Sequence, residues 1–217
     1  KIESLAGKRV VAVSAGSAPT LALTAAGAVG RRGCGGNGRL GHGDEQAQLL
    51  PKKIESLAGK RVVAVSAGEH HNLAITADNA VWSWGDGGGG KLGHGDWQNQ
   101  LLPKKVEALT GQRVVAVSAG YFHSLALTAD GALWSWGPGY HGQLGHGDQQ
   151  QQLLPKKIEA LAGQRIIAVS AGGYHSLALT ADGAAWSWGI GGFGRSGHRR
   201  VRRERRPRKT ASHSGKR

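Results

Sequence analysis

The chain has 217 residues, a formal charge of +14, 37 glycines and six prolines, a composition that excludes collagen and a disordered linker and favours tight turns between short strands. Its single cysteine, Cys34, excludes a disulfide framework and indicates a reducing, intracellular compartment, either cytoplasmic or nuclear. No segment reaches the roughly 18 apolar residues of a membrane helix, and the first residues do not form a signal peptide, so we expect no membrane association.

An internal repeat organises the whole chain. The segment KIESLAGKRVVAVSAG begins at Lys1 and returns, nearly unchanged, at Lys53, Lys105 and Lys157, always 52 residues later. Such a period is the signature of an array of supersecondary units. We divide the chain into repeat 1 (1–52, degenerate), repeat 2 (53–104), repeat 3 (105–156), repeat 4 (157–198, truncated) and a basic tail (199–217) that we expect to be disordered.

The elements of one unit are clearest in repeat 3. Arg113–Gly120 is rich in β-branched and small residues and predicts a buried strand, and His123–Asp130 alternates as a second strand does. Asp130-Gly131 is a strong hairpin-turn signal. Ala132–Gly137 predicts a third strand, and Leu153–Leu161, which contains a proline, predicts an edge strand after a glycine-rich stretch. Each unit therefore has about four short strands and no convincing helix.

Four strands alone cannot bury both faces of a sheet. Copies packed face to face around an axis can do so, and this arrangement is a β-propeller. Trp134 and Trp136 fall on one face of the third strand, where they predict the layer between neighbouring blades. A β-solenoid is the alternative, but its coils usually repeat at about 20–30 residues. We therefore predict an all-β chain of antiparallel, four-stranded propeller blades.

The first and last units depart from this pattern. Where other units have Trp-Ser-Trp-Gly, repeat 1 has Gly30–Gly33, and Pro19 replaces its histidine. Repeat 4 breaks off after His198, and an arginine-rich segment stands where the proline-containing strand is expected. Two explanations remain open: a misread junction, or an import signal or arm that binds nucleic acid, chromatin or another polyanion. The candidate polyanion-binding residues are Arg199, Arg200, Arg202, Arg203, Arg205, Arg206, Arg208 and Lys209.

The two intact units carry a family resemblance. Repeat 3 reads AGYFHSLALTADGALWSWGPGYHGQLGHGD and repeat 2 reads AGEHHNLAITADNAVWSWGDGGGGKLGHGD. This pattern closely resembles the regulator-of-chromosome-condensation repeat. The resemblance implies a seven-bladed propeller that binds other macromolecules. Some relatives exchange guanine nucleotides on Ran-like GTPases and dock on chromatin, some lie beside ubiquitin-ligase domains, and a plant branch senses ultraviolet light.

Only four of the seven implied units are present, and methionine is absent, so we interpret the chain as a fragment. The photoreceptor branch has Trp and Arg before the repeated histidine, whereas this chain has Glu69-His70, Tyr121-Phe122 and Gly173-Tyr174. We therefore do not expect light sensing.

Repeated motifs in each unit suggest chemistry only at first sight. A Gly-x-Gly-x-x-Gly pattern occurs once per unit, as at Gly137–Gly142, but no helix follows it, so we interpret it as a turn and not as a dinucleotide site. The histidines, such as His123 and His146, recur at the same place on successive blades and cannot converge on one metal ion. We interpret Asp148 as a cap for turn N–H groups. We expect no catalytic residue, no metal, no cofactor and no small-molecule substrate.

Residues that vary on this constant framework are the candidate partner-binding positions, because specificity lies in loops held by a rigid scaffold. We expect a non-enzymatic protein-interaction module. Alternatives are a guanine-nucleotide exchange factor for a Ran-like small GTPase, which the uniform spacing without an insertion opposes, and the propeller part of a larger ubiquitin-ligase protein. The candidates are Glu69, His70, Asp86, Tyr121, Phe122, Tyr140, His141 and Tyr174.

Overall fold

The computed structural model describes residues 6–16, 20–190 and 203–210, which fold into four antiparallel sheets of four strands each. The predicted all-β fold is confirmed. The strands are β1 Val10–Ala15, β2 Thr20–Thr24, β3 Val29–Gly33, β4 Gln48–Lys53, β5 Val62–Ala67, β6 His71–Thr76, β7 Val81–Gly85, β8 Gln100–Lys105, β9 Val114–Ala119, β10 Ser124–Thr128, β11 Leu133–Gly137, β12 Gln152–Lys157, β13 Ile166–Ala171, β14 His175–Thr180, β15 Ala185–Ile190 and β16 Arg203–Lys209. Single turns of 3₁₀ helix occur at Gly36–Gly38, Glu55–Leu57, Gly88–Gly90, Glu107–Leu109 and Glu159–Leu161.

Each sheet is a meander in chain order, and we call the sheets blades 1 to 4. The first strands of the blades, β1, β5, β9 and β13, contact one another and form the inner wall. Their Val-Val-Ala-Val-Ser-Ala or closely similar sequence suits this position, because small side chains permit close approach. The blades are also tied by hydrogen bonds: the amides of Ala67 and Ala119 donate to Ser14 Oγ and Ser66 Oγ of the preceding blade, at 2.9 and 3.0 Å.

The hairpin between the second and third strands repeats with its predicted chemistry. In blade 3 the Thr128 hydroxyl hydrogen-bonds Asp130, and the amide of Gly131 donates to Thr128 O at 2.9 Å. Gly131 has φ of 85°, a left-handed conformation in which a side chain is strained. Blade 2 places Asn79 there, with φ of 63°, because Asn tolerates this region better than most residues.

Tryptophans fill the layer between blades, as predicted. Trp84 of blade 2 is completely buried and packs with Leu21, Leu23 and Val29 of blade 1. Trp136 of blade 3 is equally buried against the corresponding side chains of blade 2, which include Leu73. Blades 2, 3 and 4 thus each turn a tryptophan face toward the preceding blade, and blades 1, 2 and 3 each turn a leucine face toward the next.

The Leu-Gly-His-Gly-Asp turn of one blade packs closely against a tryptophan of the next blade. Gly93 has φ of 80°, and a Cβ there would lie 2.9 Å from Trp136 Nε1. Glycine is therefore required both by the backbone conformation and by the close approach of the indole. Asp96 Oδ1 accepts the Gln98 amide at 2.9 Å, in agreement with the capping role inferred for these aspartates.

The prediction that the basic segment is disordered is wrong for Arg203–Lys209. Arg203–Lys209 is not a disordered tail but the outer strand of blade 4: Gly189 pairs with Glu204 as Gly137 pairs with Gln152. The 52-residue period therefore continues through the fourth unit. Arginines are accommodated because the replaced leucines, such as Leu154, already face solvent, while Pro207 is buried as Pro155 is. Arg199, Arg200 and Arg202 lie outside the described residues.

The four blades form an open arc. On the leucine face of blade 4, Leu177 is 36% exposed, whereas the equivalent Leu125 of blade 3 is fully buried beneath blade 4. At the other end of the arc, blade 1 has Gly30 and Arg32 where the other blades have tryptophans. Within the described part of the chain, no helix is long and apolar enough to cross a bilayer.

Candidate partner-binding surface

The loops that join the first and second strands of blades 2, 3 and 4 lie side by side. The amide of Glu69 donates to Gly120 O at 3.3 Å, and the amide of Tyr121 donates to Gly172 O at 3.2 Å. A Cβ on Gly68 would lie 2.4 Å from Gly120 O, so glycine is needed for this contact. Hydrogen bonds between the loop backbones of neighbouring blades therefore fix the variable residues relative to one another.

The histidine that follows each variable pair also joins two blades. His71 Nε2 lies 2.7 Å from Ser124 Oγ of blade 3, and that hydroxyl donates to Lys91 O at 2.8 Å. Since the serine proton is used, Nε2 must carry a hydrogen and donate it to the serine oxygen. His123 and Ser176 repeat the arrangement at 2.7 Å between blades 3 and 4.

These histidines are neutral framework residues. Both rings are buried, and burial lowers the pKa of His71 and of His123 to about 3. In the Leu-Gly-His-Gly-Asp turn, His94 Nε2 meets Ser83 Oγ at 3.0 Å, and burial lowers the pKa of His94 to about 4. Among the described residues, no group of three His, Cys, Asp or Glu side chains is placed to hold a metal ion.

Five predicted partner-binding residues form one cluster of rings, which we call the aromatic face: His70, Tyr121, Phe122, His141 and Tyr174. Phe122 stacks on Tyr174 with ring centroids 5.0 Å apart and contacts Tyr121 at 5.8 Å and His70 at 6.3 Å. His141 packs edge-on against Tyr174 at 4.7 Å. The cluster therefore spans blades 2, 3 and 4.

The aromatic face is accessible and carries neutral imidazoles. Tyr121 is 45% and Tyr174 is 38% exposed, and the other three rings are half-buried. Burial, and then the charge of Arg39, lowers the pKa of His70. Burial, and then the charge of Arg203, lowers the pKa of His141. Both side chains are therefore uncharged near pH 7.

Comparison with known proteins identifies the family. The sequence profile described as the RCC1-like domain matches residues 1–216. The chain belongs to the RCC1-like domain family.

Curated relatives share this RCC1-like sequence over almost its whole length. The chain is 42% identical over 217 residues to the human E3 ubiquitin-protein ligase HERC2, covering 99% of the chain and 4% of HERC2. It is 39% identical over 196 residues to the ultraviolet-B receptor UVR8 of Arabidopsis thaliana, covering 90% of the chain and 44% of UVR8. The chain thus spans less than half the length of these relatives.

Solved structures share its blade arrangement. Human WBSCR16 superposes with a TM-score of 0.86 at 26% identity, covering 94% of the chain and 54% of WBSCR16. Prp20p of Saccharomyces cerevisiae, described with its binding properties to Gsp1p and histones, superposes with a TM-score of 0.84 at 26% identity, covering 96% of the chain and 52% of Prp20p. Both likenesses agree with the propeller architecture of the RCC1-like chain.

Three predicted partner-binding residues lie outside the aromatic face. Glu69 directly precedes His70 and is half-buried. Asp86 forms an ion pair of 2.7 Å with the buried Lys91 and accepts the Gly88 amide at 2.8 Å. Burial would raise the pKa of Asp86, but these two hydrogen bonds lower it overall, so Asp86 stays charged and holds its own loop. Tyr140 is exposed, and its hydroxyl reaches Gln151 at 3.3 Å.

The Gly-x-Gly-x-x-Gly stretch of the RCC1-like blades is a turn. A Cβ on Gly87 would lie 2.0 Å from Gln98 O, and one on Gly89 would lie 2.4 Å from Pro138 Cγ. The segment continues into a 3₁₀ turn at Gly88–Gly90 and no α-helix follows there. The interpretation as a turn is confirmed, since the glycines are explained by contacts with other parts of the chain.

The basic residues of β16 form a solvent-exposed edge. Arg203, Arg205 and Arg206 are exposed, and Arg208 lies 3.3 Å from Glu204. Arg203 is close enough to His141 to influence its pKa, so one end of the basic strand adjoins the aromatic face. The sequence could not have shown this proximity, because it depends on the strand pairing that returns Arg203 to the loop end of blade 4.

Proposed function

We propose that this RCC1-like chain is a non-enzymatic protein-interaction module whose partner docks on the aromatic face. The observation that carries the proposal is the continuous set of ring contacts across three blades, centred on Phe122 and Tyr174. Partly exposed aromatic residues that cluster on one surface are typical of the energetic centre of a protein interface.

Rigidity of the supporting loops favours binding. The backbone hydrogen bonds of Glu69 and Tyr121 to neighbouring blades fix the loops before a partner arrives. The loss of conformational freedom on binding is therefore small, and more of the contact energy contributes to affinity. The neutral state of His70 and His141 avoids burying a charge beneath the partner.

The absence of bond-making chemistry is part of the proposal. A general base must be accessible and must titrate near the working pH. His71 and His123 are buried, neutral and already bonded to serine hydroxyls. Those serine hydroxyls in turn donate to backbone carbonyls, so they are framework groups and not nucleophiles.

Relatives guide the choice of partner. Prp20p is described with its binding to Gsp1p and histones, and HERC2 is a ubiquitin-protein ligase. We propose a protein partner of the small-GTPase or ubiquitin-pathway class and an intracellular, nuclear or cytoplasmic location. Nucleotide exchange is the second candidate, supported by the likeness to Prp20p; the equal 52-residue spacing, which provides no inserted wedge, opposes it.

The test is a binding assay with purified histones, a Ran-like GTPase and ubiquitin. A Phe122→Ala/Tyr174→Ala variant should weaken the observed complex at least tenfold, because truncation of central aromatic anchors costs about 2 kcal/mol or more. Tyr140→Ala is the matched control, since Tyr140 is exposed but makes no ring contact with the aromatic face among the described residues. Equal affinity of both variants and the native chain would overturn the proposal.

A second, separate candidate is polyanion binding by the basic edge. Its support is the exposure of Arg205 and Arg206, which replace Leu153 and Leu154 of the preceding blade. The strand can be neutralised without loss of the fold by Arg205→Leu/Arg206→Leu, which restores the residues of blade 3. For duplex DNA, the slope of log affinity against log salt should then decrease by about 2, one for each phosphate that an arginine no longer neutralises. An unchanged slope would exclude these two arginines from the interaction.

A further inference from the structure

The aromatic face has an arginine at each of its two ends. At the end in blade 2 the arginine is Arg39, which belongs to a loop of blade 1. Its carbonyl accepts Asn72 Nδ2 at 3.0 Å and Trp84 Nε1 at 3.1 Å. Asn72 is two residues from His70 along the chain. Hydrogen bonds between blades 1 and 2 therefore fix Arg39 beside the loop that carries His70.

The arginine at the other end is Arg203 of blade 4. It pairs with the last residue of β15, whose amide donates to Tyr174 O at 2.8 Å. Two units earlier the same position is Asn99, whose Nδ2 donates to Asn37 Oδ1 at 3.4 Å, and Asn37 stands two units before His141. Burial, and then the charge of the adjoining arginine, lowers the pKa of each imidazole on the aromatic face. Arg203 is therefore a neighbour of both rings at this end.

Neither arginine is neutralised within the described part of the chain. Arg39 Nε donates to a carbonyl of its own loop at 3.0 Å, and no carboxylate forms an ion pair with Arg39 or Arg203. In blade 2 the place of Arg39 is taken by Lys91, which Asp86 neutralises at 2.7 Å. Blade 1 has Cys34 where blade 2 has Asp86, so the charge of Arg39 remains available.

The loops between the two arginines differ from both ends, since none of their described residues is an unpaired cation. In blade 3 the place of Lys91 is taken by Gln143, which is uncharged and buried. Glu69 is held next to Tyr121, because its amide donates to Gly120 O. A carboxylate above the middle of the aromatic face would therefore be repelled by Glu69, whereas a carboxylate at either end would meet an arginine.

We propose that the aromatic face binds an extended segment of the partner that has an apolar centre and an acidic residue at each end. This inference rests on the proposed function, because it assigns the chemistry of the segment that docks there. Successive ring centroids from His70 to His141 are 6.3, 5.0 and 4.7 Å apart, a path of about five extended residues. The apolar centre covers the rings, and each terminal carboxylate pairs with a guanidinium, whose planar fork can donate two hydrogen bonds to it.

The experiment is a calorimetric titration of the chain with the peptide acetyl-Glu-Glu-Leu-Pro-Leu-Pro-Leu-Glu-Glu-amide. Its isomer acetyl-Leu-Pro-Glu-Glu-Leu-Glu-Glu-Pro-Leu-amide has the same composition but carries the acids near its centre. The isomer, and a peptide with lysine in place of every glutamate, should bind at least tenfold more weakly than the first peptide. Equal binding of either one, or no binding of the first peptide, would overturn the proposal.

Arginine variants test the two ends separately. Arg39→Gln and Arg203→Gln should each weaken binding about threefold, the effect of a partly exposed ion pair. Each loss should disappear when the glutamates at one peptide end are replaced by glutamine, and the two variants should respond to opposite ends. A response of both variants to the same end would contradict the proposed arrangement.

Arg113→Gln is the matched control, because it removes the same charge from an exposed position at the opposite end of the blades. The Arg113 carbonyl accepts the Ala129 amide at 2.9 Å, beside the hairpin of blade 3. Peptide affinity should not change in this variant. A threefold loss there would show that overall charge, and not the two flanking arginines, attracts the peptide.

The double ring variant distinguishes failure of this inference from failure of the proposed function. Phe122→Ala/Tyr174→Ala should weaken peptide binding at least tenfold. Unchanged peptide affinity would place the peptide elsewhere and overturn the inference, while the assay with the protein partners would still decide the proposed function. If the ring variant weakens the protein complex but the two isomeric peptides bind equally, the aromatic face remains the docking surface and only the charge pattern is wrong.

Discussion

Blades 1 and 2 have the same strand pairing, and their first and fourth strands have identical sequences, but the side chains of their third strands differ. In both, the third strand pairs with the second in the same register: Ala22 opposes Gly30 as Ala74 opposes Trp82. Blade 1 nevertheless lacks both tryptophans and the serine between them. Strand pairing, the glycine turns and the leucine face are therefore sufficient to form a blade, whereas the aromatic and histidine contacts determine how blades join.

The joint between blades 1 and 2 shows this most clearly. Between blades 2 and 3, His71 donates to Ser124, which donates to Lys91 O. Blade 1 has Pro19 in place of the histidine, and blade 2 has Asn72 in place of the serine. Asn72 Nδ2 donates to Arg39 O at 3.0 Å, the carbonyl equivalent to that of Lys91. Blade 1 therefore lacks the histidine that would donate a hydrogen bond, and blade 2 lacks the serine that would accept it.

The largest expected effect comes from removing a buried tryptophan at an intact joint. Trp136→Ala should lower the free energy of unfolding by about 4 kcal/mol, because a large, fully buried side chain leaves a cavity. Urea denaturation measures the change. Trp97→Ala, at an exposed position, should change stability by less than about 0.5 kcal/mol. Similar losses for the two variants would contradict the blade-joint assignment.

Low pH should destabilise the joints between blades 2, 3 and 4 more than the joint between blades 1 and 2. The folded-state pKa of about 3 for His71 and His123 lies below the usual 6.5 of an unfolded chain. Protons therefore bind the unfolded state more tightly, so stability is full above about pH 6.5 and decreases as the pH falls toward 3. Hydrogen exchange at pH 7 and pH 4 should show the greatest loss of protection at β6 and β10. Equal loss in blade 1 would contradict the prediction.

Arg31 should reduce the stability of the fold, and a substitution should restore that stability. This residue of blade 1 takes the place of Ser83, and its guanidinium is fully buried, 5.9 Å from the Trp84 ring, without a hydrogen-bond partner in the described part of the chain. Burial, and then repulsion from Arg39, lowers the pKa of Arg31 to about 9.

Arg31→Ser should raise the free energy of unfolding by about 2 kcal/mol, because it removes an uncompensated buried charge. It also restores to His42 Nε2 the hydroxyl that His94 has in blade 2. Thermal unfolding measures the gain, and Arg32→Ser, at an exposed position, is the control. A lower melting temperature for Arg31→Ser would show that its stacking on Trp84 outweighs the buried charge.

The last predicted effect concerns the hydrogen bond between His71 and Ser124. Ser124→Ala should cost about 1–3 kcal/mol, because the buried His71 N–H loses its acceptor. Asn72→Ser keeps a hydrogen-bond donor for Arg39 O and should therefore cost less than Ser124→Ala. Equal costs for the two substitutions would mean that the bridge contributes nothing beyond packing.

Much of the fold could be predicted from the repeat itself. Alternation in His123–Asp130, the Asp130-Gly131 turn and the tryptophan pair each specify a local structure, and their recurrence at 52 residues specifies the blades. The last strand was missed because Leu153-Leu154 changes to Arg205-Arg206, although Pro207 keeps its register. Hydrophobic pattern is a poor guide at an outer strand whose side chains face solvent.

The candidate site could be predicted only as a set of positions. Variation at His70, Tyr121, Phe122, His141 and Tyr174 identified loop residues that differ on a constant frame. Their contact with one another depends on the angle between blades and on the loop-to-loop hydrogen bonds. The sequence likewise identified Gly30–Gly33 as a departure from the repeat, but could not show that the guanidinium of Arg31 is buried there.

The strands, turns, unit length and family could be inferred from the sequence, because these depend on local backbone preference and on contacts that recur with the period. The sequence could not show which rings meet on the aromatic face, which histidines form hydrogen bonds to serines, or that Arg31 is buried. Those features arise from packing between units that are 52 residues apart. The reason is physical: periodicity specifies what each blade contains, whereas the distance and angle between blades specify what its side chains touch.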